Sequence, residues 1–163
     1  MGLRVTVVGG TGFIGRRLVE RLVGRGASVR IISRHAADEG GPAPQIERVA
    51  GSIEDPSTLE RAVDGASAVV NLVGTTAARS ERQFYLLHCD APGRLAAAAR
   101  LAGVRRFVHV SAMGIGLDAP SLADRSKAAG ENAVRAACPR RACHPPDRRR
   151  TYPVSADACR RRC

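Results

Sequence analysis

The stretch VVGGTGFIGRRL, residues 7–18, constrains the fold more than any other part of the chain. Ahead of it, Leu3–Val8 is a short Val-rich apolar run, the pattern of a buried strand. Behind it, Phe13–Gly26 carries Ile14, Leu18 and Leu22 four apart, with Val19 and Val23 on the same side, a stripe of helical period. Between the two, Gly9, Gly12 and Gly15 fall at G-x-x-G-x-x-G spacing. Gly9 permits a sharp exit from the strand. Gly12 has no Cβ, so a pyrophosphate can come up to the backbone. Gly15 lets the helix lie close to the sheet. An anion in such a turn meets free N–H groups and the positive end of the helix dipole. Glycine spacing alone is a weak signal, and the strand–turn–helix context is what gives it meaning.

The same alternation continues down the chain. Ser28–Ser33 reads as a second strand, Arg34–Pro44 as a polar loop, Gln45–Ala50 as a short third strand and Ala66–Val73 as a fourth. Pro56–Asp64 reads as a helix with Asp55 as N-cap and Pro56 at its first position. Glu81–Gly103 is an Ala-rich helix that Pro92 either kinks or restarts, with Asp90 as the cap. Arg106–Ser111 is a fifth strand and Ser121–Ala137 a last helix. Strands apolar on both faces, separated by helices, predict an α/β fold: a doubly wound parallel (Rossmann) sheet with helices on both faces. Ligands bind such sheets at the carboxyl ends of the strands. That directs attention to residues 9–15, 33–34, 51–55, 72–76 and 111–116.

Composition narrows the function classes. The 163 residues suit one domain, and with aromatics at 3% the core must be built from Val, Ile, Leu and Ala. No apolar run approaches the ~20 residues of a membrane span, and no secretory leader pattern opens the chain, so a cytoplasmic protein is expected. The net charge of +11 points first to nucleic acid. Its distribution argues otherwise: residues 139–163 alone hold eight arginines against Asp147 and Asp157, and aromatics for base stacking are nearly absent. His88 and Asp90 (H-C-D) lack converging partners for a metal, and His109 reads as a core histidine. No metal is expected.

GGTGFIG resembles the extended and atypical short-chain dehydrogenase/reductase superfamily, of the NAD-dependent epimerase/dehydratase type. The resemblance runs over residues 3 to about 138. VVNLVG at 69–74, RRFVHVSAMG at 105–114 and RSKAAGENAVR at 125–135 are most similar to the nucleotide-binding accessory subunit of respiratory complex I and its bacterial relatives. The resemblance implies that Gly9, Thr11, Gly12, Phe13, Ile14 and Gly15 cradle a dinucleotide's pyrophosphate, and that Ile53 lies against adenine, with Ser52 where the family usually has an acid. It implies that Leu72, Val73 and Gly74 pass beside the nicotinamide ribose. An acid about 20 residues beyond the glycines would bind a ribose 2′-hydroxyl. The second strand instead ends in Ser33-Arg34-His35, and Arg34 is suited to a 2′-phosphate. NADP(H) is therefore favoured over NAD(H).

Active members of the superfamily pair a Tyr with a Lys four residues on, whose charge lowers the phenol's pKa, and with a Ser or Thr beyond the fifth strand. Lys127 matches the lysine and Ser111 the hydroxyl, but the tyrosine position is Ala123. Ser111 and Lys127 are thus the catalytic candidates of a site lacking its proton donor, in which Lys127 can still hold the nicotinamide ribose. Three functions follow: a nucleotide-binding, largely non-catalytic protein of the complex I accessory type, peripheral to the inner membrane; an oxidoreductase or epimerase fragment; or an NADPH-sensing regulator with a protein partner.

After Pro139 the apolar pattern stops. The segment 139–163 is Arg, Pro and Cys, and the spacings of Cys138, Cys143, His144, Cys159 and Cys163 do not match closed zinc sites. The expectation is a domain over residues 1–138 and an irregular tail, disordered or read out of frame. The sheet would then be cut off before its last strand or strands.

Overall fold

The computed structural model describes residues 2–34 and 43–138. Five strands, β1 (Arg4–Val8), β2 (Ser28–Ser33), β3 (Ile46–Ala50), β4 (Ala68–Asn71) and β5 (Arg106–His109), form one parallel sheet in the order β3-β2-β1-β4-β5. Val5 pairs with Val29 on one side and Ala68 on the other, so β1 is central. The strand order reverses between β1 and β4. That switch point is where a doubly wound sheet opens a crevice at its carboxyl edge.

Side-chain alternation gives the sheet two cores. On one face, Val5, Val7, Val29 and Ile31 meet Val19 of α1 (Phe13–Val23). On the other, Val8, Ile32 and Val69 meet Leu59 and Val63 of α2 (Pro56–Val63) and Leu95 and Ala99 of α4 (Ala91–Leu101). Asp55 caps α2 as its sequence promises, accepting from the Ser57 N–H at 3.0 Å with Pro56 in the first turn. One buried charge crosses the layers: Arg30 donates to Glu47 at 2.9 Å and to the Asp64 carbonyl at 2.7 Å, beyond the negative end of the α2 dipole.

Two expectations need correction. The helix expected over 81–103 does not restart on an Asp90 cap. It runs as α3 (Glu81–Tyr85), a π turn (Leu86–Asp90) and α4, and Asp90 keeps helical dihedrals with no capping bond. The π turn absorbs Pro92, which has no N–H for the His88 carbonyl one turn earlier. Helix α5 (Leu122–Ala137) then packs against the π turn through Gly130, where a Cβ would collide with that carbonyl. Nor is β5 apolar on two covered faces: among the described residues it pairs with β4 alone, and Val108 and Val110 are 48% and 42% exposed. The tail, with Cys143, His144, Cys159 and Cys163, lies outside the described residues.

Candidate dinucleotide site

The glycine turn takes the conformation its spacing demands. Gly9 has φ +83°, a left-handed value that side chains disfavour, and its N–H donates to the Ile32 carbonyl at 2.9 Å. Gly12 is the N-cap of α1 and offers no side-chain oxygen, so no cap satisfies the orphan N–H groups of the first helical turn. Gly15 is buried, and a Cβ there would lie 2.7 Å from the Cα and carbonyl carbon of Gly10. Phe13 and Ile14 project outward, 91% and 58% exposed. Arg16 braces the turn by donating from Nε to the Thr11 carbonyl at 2.8 Å.

Two features lie at the end of β2. Ser33 Oγ is buried without a hydrogen-bond partner among the described residues. Arg34 follows it, exposed, and shares an open groove with Ala77, Ala78, Arg79 and Gln83. The Gln83 carboxamide oxygen accepts from the Arg79 N–H at 2.9 Å, which fixes that stretch of loop under the groove. Ile53 is 5% exposed and packs with Val8, Ile32 and Leu59.

Beyond β4 and β5, a cavity of about 130 Å³ is lined by Leu72, Val73, Gly74, His88, His109, Val110, Ser111 and Lys127. Five residues expected at the nicotinamide end (Leu72, Val73, Gly74, Ser111 and Lys127) thus come together. Ser111 Oγ is buried with no partner among the described residues. Ala123, one helical turn before Lys127, contributes only its carbonyl to this network, accepting from Ser126 Oγ at 2.9 Å.

Two histidines, His88 and His109, that were not expected here complete the wall. Asn71 Oδ1 accepts from the Val73 N–H at 3.1 Å, which leaves its Nδ2 to donate to His109 Nδ1 at 3.0 Å. His109 therefore carries its proton on Nε2. His88, 2% exposed, accepts from the Thr75 N–H on Nε2 at 3.0 Å and lies 2.8 Å from Ser126 Oγ through Nδ1. Burial lowers the pKa of both rings; the Lys127 charge lowers that of His88 further, and Glu131 opposes the shift at His109. Pro92, four residues after His88, was the available signal that this helix departs from α geometry and turns an unexpected side chain inward. Among the described residues no three His, Cys, Asp or Glu side chains gather as a metal site.

The chain matches the family model described as NAD(P)H-binding over residues 9–138. It is 35% identical over 147 residues to a mitochondrial NADH dehydrogenase [ubiquinone] 1 alpha subcomplex subunit 9 of Dictyostelium discoideum, covering 85% of this chain and 40% of the relative. It is 37% identical over 140 residues to a ceramide reductase of Caulobacter vibrioides, covering 83% and 43%. A short-chain dehydrogenase/reductase superfamily protein of Agrobacterium tumefaciens, solved with bound NAD, superimposes with a TM-score of 0.68 at 31% identity, over 82% of this chain and 44% of that one. The chain thus spans less than half the length of these proteins. The match runs from the first glycine of the turn to the end of α5, which is all of the described elements but β1, and the chain belongs to the NAD(P)H-binding family, of the short-chain dehydrogenase/reductase type.

Proposed function

We propose that this chain holds NADP(H), in preference to NAD(H), along the carboxyl ends of its strands, and that it works as a nucleotide-binding protein rather than a catalyst. One observation carries the second half of the reading: Lys127 and Ser111 border the β4–β5 cavity, while position 123, where active relatives need a phenol, is an alanine serving through its backbone. The residues fit the cofactor. Gly12 leaves the backbone open to a pyrophosphate, and two buried hydroxyls without partners among the described residues, Ser33 Oγ and Ser111 Oγ, stand at β2 and β5. Arg34 and Arg79 flank one groove with no guanidinium partner among the described residues, which suits the dianionic 2′-phosphate of NADP(H).

In this reading the first turn of α1 binds pyrophosphate, with Thr11, Phe13 and Ile14 beside it. Ile53 offers its edge to adenine, Leu72, Val73 and Gly74 border the nicotinamide ribose, and Lys127 holds that ribose's hydroxyls. When bound, the dinucleotide would supply hydride chemistry. The chain supplies position and charge but no proton donor matched to the task. The similarity to a complex I alpha subcomplex subunit supports a respiratory-chain protein as partner and a place peripheral to the inner membrane. A free cytoplasmic NADPH sensor with another protein partner is the alternative. The unpartnered Ser111 hydroxyl and the ceramide reductase relative favour a second reading, in which the chain is part of an oxidoreductase.

The test is a pair of measurements on one preparation. Calorimetric titration with NADPH and NADH should show tighter NADPH binding. Absorbance of NADPH at its reduced-nicotinamide band should stay constant with sugar-nucleotide, quinone, steroid and ceramide-type carbonyl compounds. Substrate-dependent NADPH oxidation would refute the non-catalytic reading, and equal affinities would refute the cofactor preference. Co-purification with respiratory subunits separates the accessory role from the sensor.

A further inference from the structure

The β4–α3 loop, residues 72–80, runs along the nicotinamide end of the proposed site, and several hydrogen bonds hold it. Asn71 accepts from Val73, His88 from Thr75, and Gln83 from Arg79, while Thr75 Oγ1 closes a local turn by donating to the Ala77 carbonyl at 2.7 Å. Of these, the His88 pin alone leads on to another helix. Its other ring nitrogen meets Ser126 of α5, the residue next to Lys127.

Proton bookkeeping assigns this chain of bonds completely. A backbone N–H can only donate, so the Thr75 bond requires a bare Nε2 on His88. Ser126 Oγ spends its single proton on the Ala123 carbonyl, so it accepts from His88 and Nδ1 carries the proton. The order Thr75 N–H to His88, His88 Nδ1–H to Ser126, Ser126 O–H to Ala123 exists in one protonation state only. His88 reaches this position because the π turn rotates it inward, and Gly130 lets α5 close onto the same backbone. Phe84 packs on the ring at 5.7 Å between centroids.

We propose that His88 is a positioning residue for the dinucleotide: as the neutral Nδ1–H tautomer it latches the loop bearing Leu72, Val73 and Gly74 to the helix bearing Lys127, and its protonation releases the loop. The inference rests on the dinucleotide reading for its ligand and on the hydrogen-bond geometry for its mechanism. An imidazolium has no lone pair for the Thr75 N–H, so the bond becomes a clash of two donors. The charged or titratable groups facing His88 are Lys127 from α5 and His109 from β5, with Glu131 beyond, facing His109. Burial and then the Lys127 charge disfavour charging of the ring, which keeps the latch closed at neutral pH.

Two-dimensional NMR of ¹⁵N-labelled protein decides the mechanism without any ligand. At pH 7.5 His88 should show the Nδ1–H tautomer, and the Thr75 amide should be protected from exchange. On acidification Thr75 protection should disappear with the same midpoint as His88 protonation. A protonated or Nε2–H ring at pH 7.5, or an unprotected Thr75 amide, overturns the proposal. His88→Phe keeps the ring's packing and removes both bonds. It should weaken NADPH binding about tenfold at pH 7.5, the size expected for one buried donor left unmade. The ratio of wild-type to variant affinity should converge as pH falls, a comparison in which His109 and the 2′-phosphate cancel. Wild-type affinity in a folded His88→Phe overturns the positioning role, and if that variant does not fold, the wild-type titration still decides. A closed latch in a protein that binds no dinucleotide at any pH supports the latch and refutes the dinucleotide reading. NADPH binding without the tautomer or the protected amide does the reverse.

Discussion

Alanine at position 12 and alanine at position 15 should disable the site in different ways. At Gly12 the backbone is extended (φ −71°, ψ 173°), and an added Cβ would find only the Gly9 carbonyl oxygen, at 3.4 Å, an ordinary contact. The fold should lose less than about 1 kcal/mol, the difference between glycine and alanine at an N-cap, which is roughly 3 °C in Tm for a domain of this size. On the proposed reading, however, that methyl stands where the pyrophosphate approaches. Losing two charge-assisted bonds of ~1.5–3 kcal/mol each weakens binding at least about a hundredfold. At Gly15 the Cβ would meet Gly9 and Gly10 backbone, with Gly10 Cα at 2.7 Å, and backbone cannot swing away as a side-chain tip can. Helix α1 must retreat from the sheet by about half an ångström or more, taking Val19 out of its packing with Val5 and Val29. Overpacking of this kind costs about 1–3 kcal/mol, or roughly 3–10 °C. Thermal melts by circular dichroism and calorimetric NADPH titration of both variants check the pair. A Gly12→Ala protein with wild-type affinity refutes the phosphate cradle. One as unstable as Gly15→Ala refutes the division of labour between the two glycines.

Other consequences are as specific. Arg34→Ala and Arg79→Ala should each weaken NADPH binding about tenfold while leaving NADH within about twofold, since a charged hydrogen bond contributes ~1.5–3 kcal/mol; parallel titrations with the two cofactors read this directly. Stability should fall on acidification: His88 and His109 have folded pKa values below their ordinary 6.5, so the unfolded chain takes up protons that the fold refuses. The stability they support is complete above about pH 6.5 and is lost as pH drops through the lowered folded values, which melts at pH 7.5 and 5.0 will show. Gly130→Ala should push α5 away from the His88 carbonyl, costing about 1–3 kcal/mol, and chemical denaturation measures it.

Much of this was legible in the residues, for identifiable reasons. The parallel sheet follows from strands whose apolar runs alternate with helical stripes, and the glycine turn from a spacing that few other folds require; the strand order β3-β2-β1-β4-β5 was not read from the residues. Leu72, Val73, Gly74 and Ser111 come together because they follow the ends of the neighbouring strands β4 and β5, and helix α5 brings Lys127 to the same cavity. What the sequence hid is the part made by irregular geometry. His88 lies in a helix whose period predicts one orientation, and the π turn gives it another. His109 reads as core because it alternates within a strand. Only the Asn71 amide, itself fixed by Val73, shows that its far nitrogen carries the proton. Ile53, assigned to adenine by resemblance, spends nearly all its surface in the core, because the chain after β3 dives against α2.

The two halves of the proposed site differ in what they are made of, and this bears on how such a protein can bind without turning over. The phosphate half is backbone: N–H groups at the start of α1, in a turn where Gly9 takes a left-handed φ, Gly12 leaves the approach open and Gly15 is required by packing. No single side-chain replacement removes those donors. The proton chemistry of active relatives depends on one phenol set one helical turn before a lysine. Position 123 contributes its carbonyl to the His88–Ser126 chain, and any residue supplies that carbonyl. A tyrosine can therefore become an alanine there with little consequence for the sheet, the turn or the latch. On the proposed reading, phosphate binding and proton chemistry are separable, because the phosphate donors lie in the main chain and the proton donor of active relatives is a single side chain. Ala123→Tyr tests the separation. The variant should keep wild-type NADPH affinity within about threefold, since the phosphate donors are untouched. Its NADPH absorbance with carbonyl substrates shows whether a restored phenol beside Lys127 and Ser111 brings turnover. Loss of NADPH binding in a folded Ala123→Tyr protein would mean that the two halves are coupled and that binding does not stand apart from the chemistry.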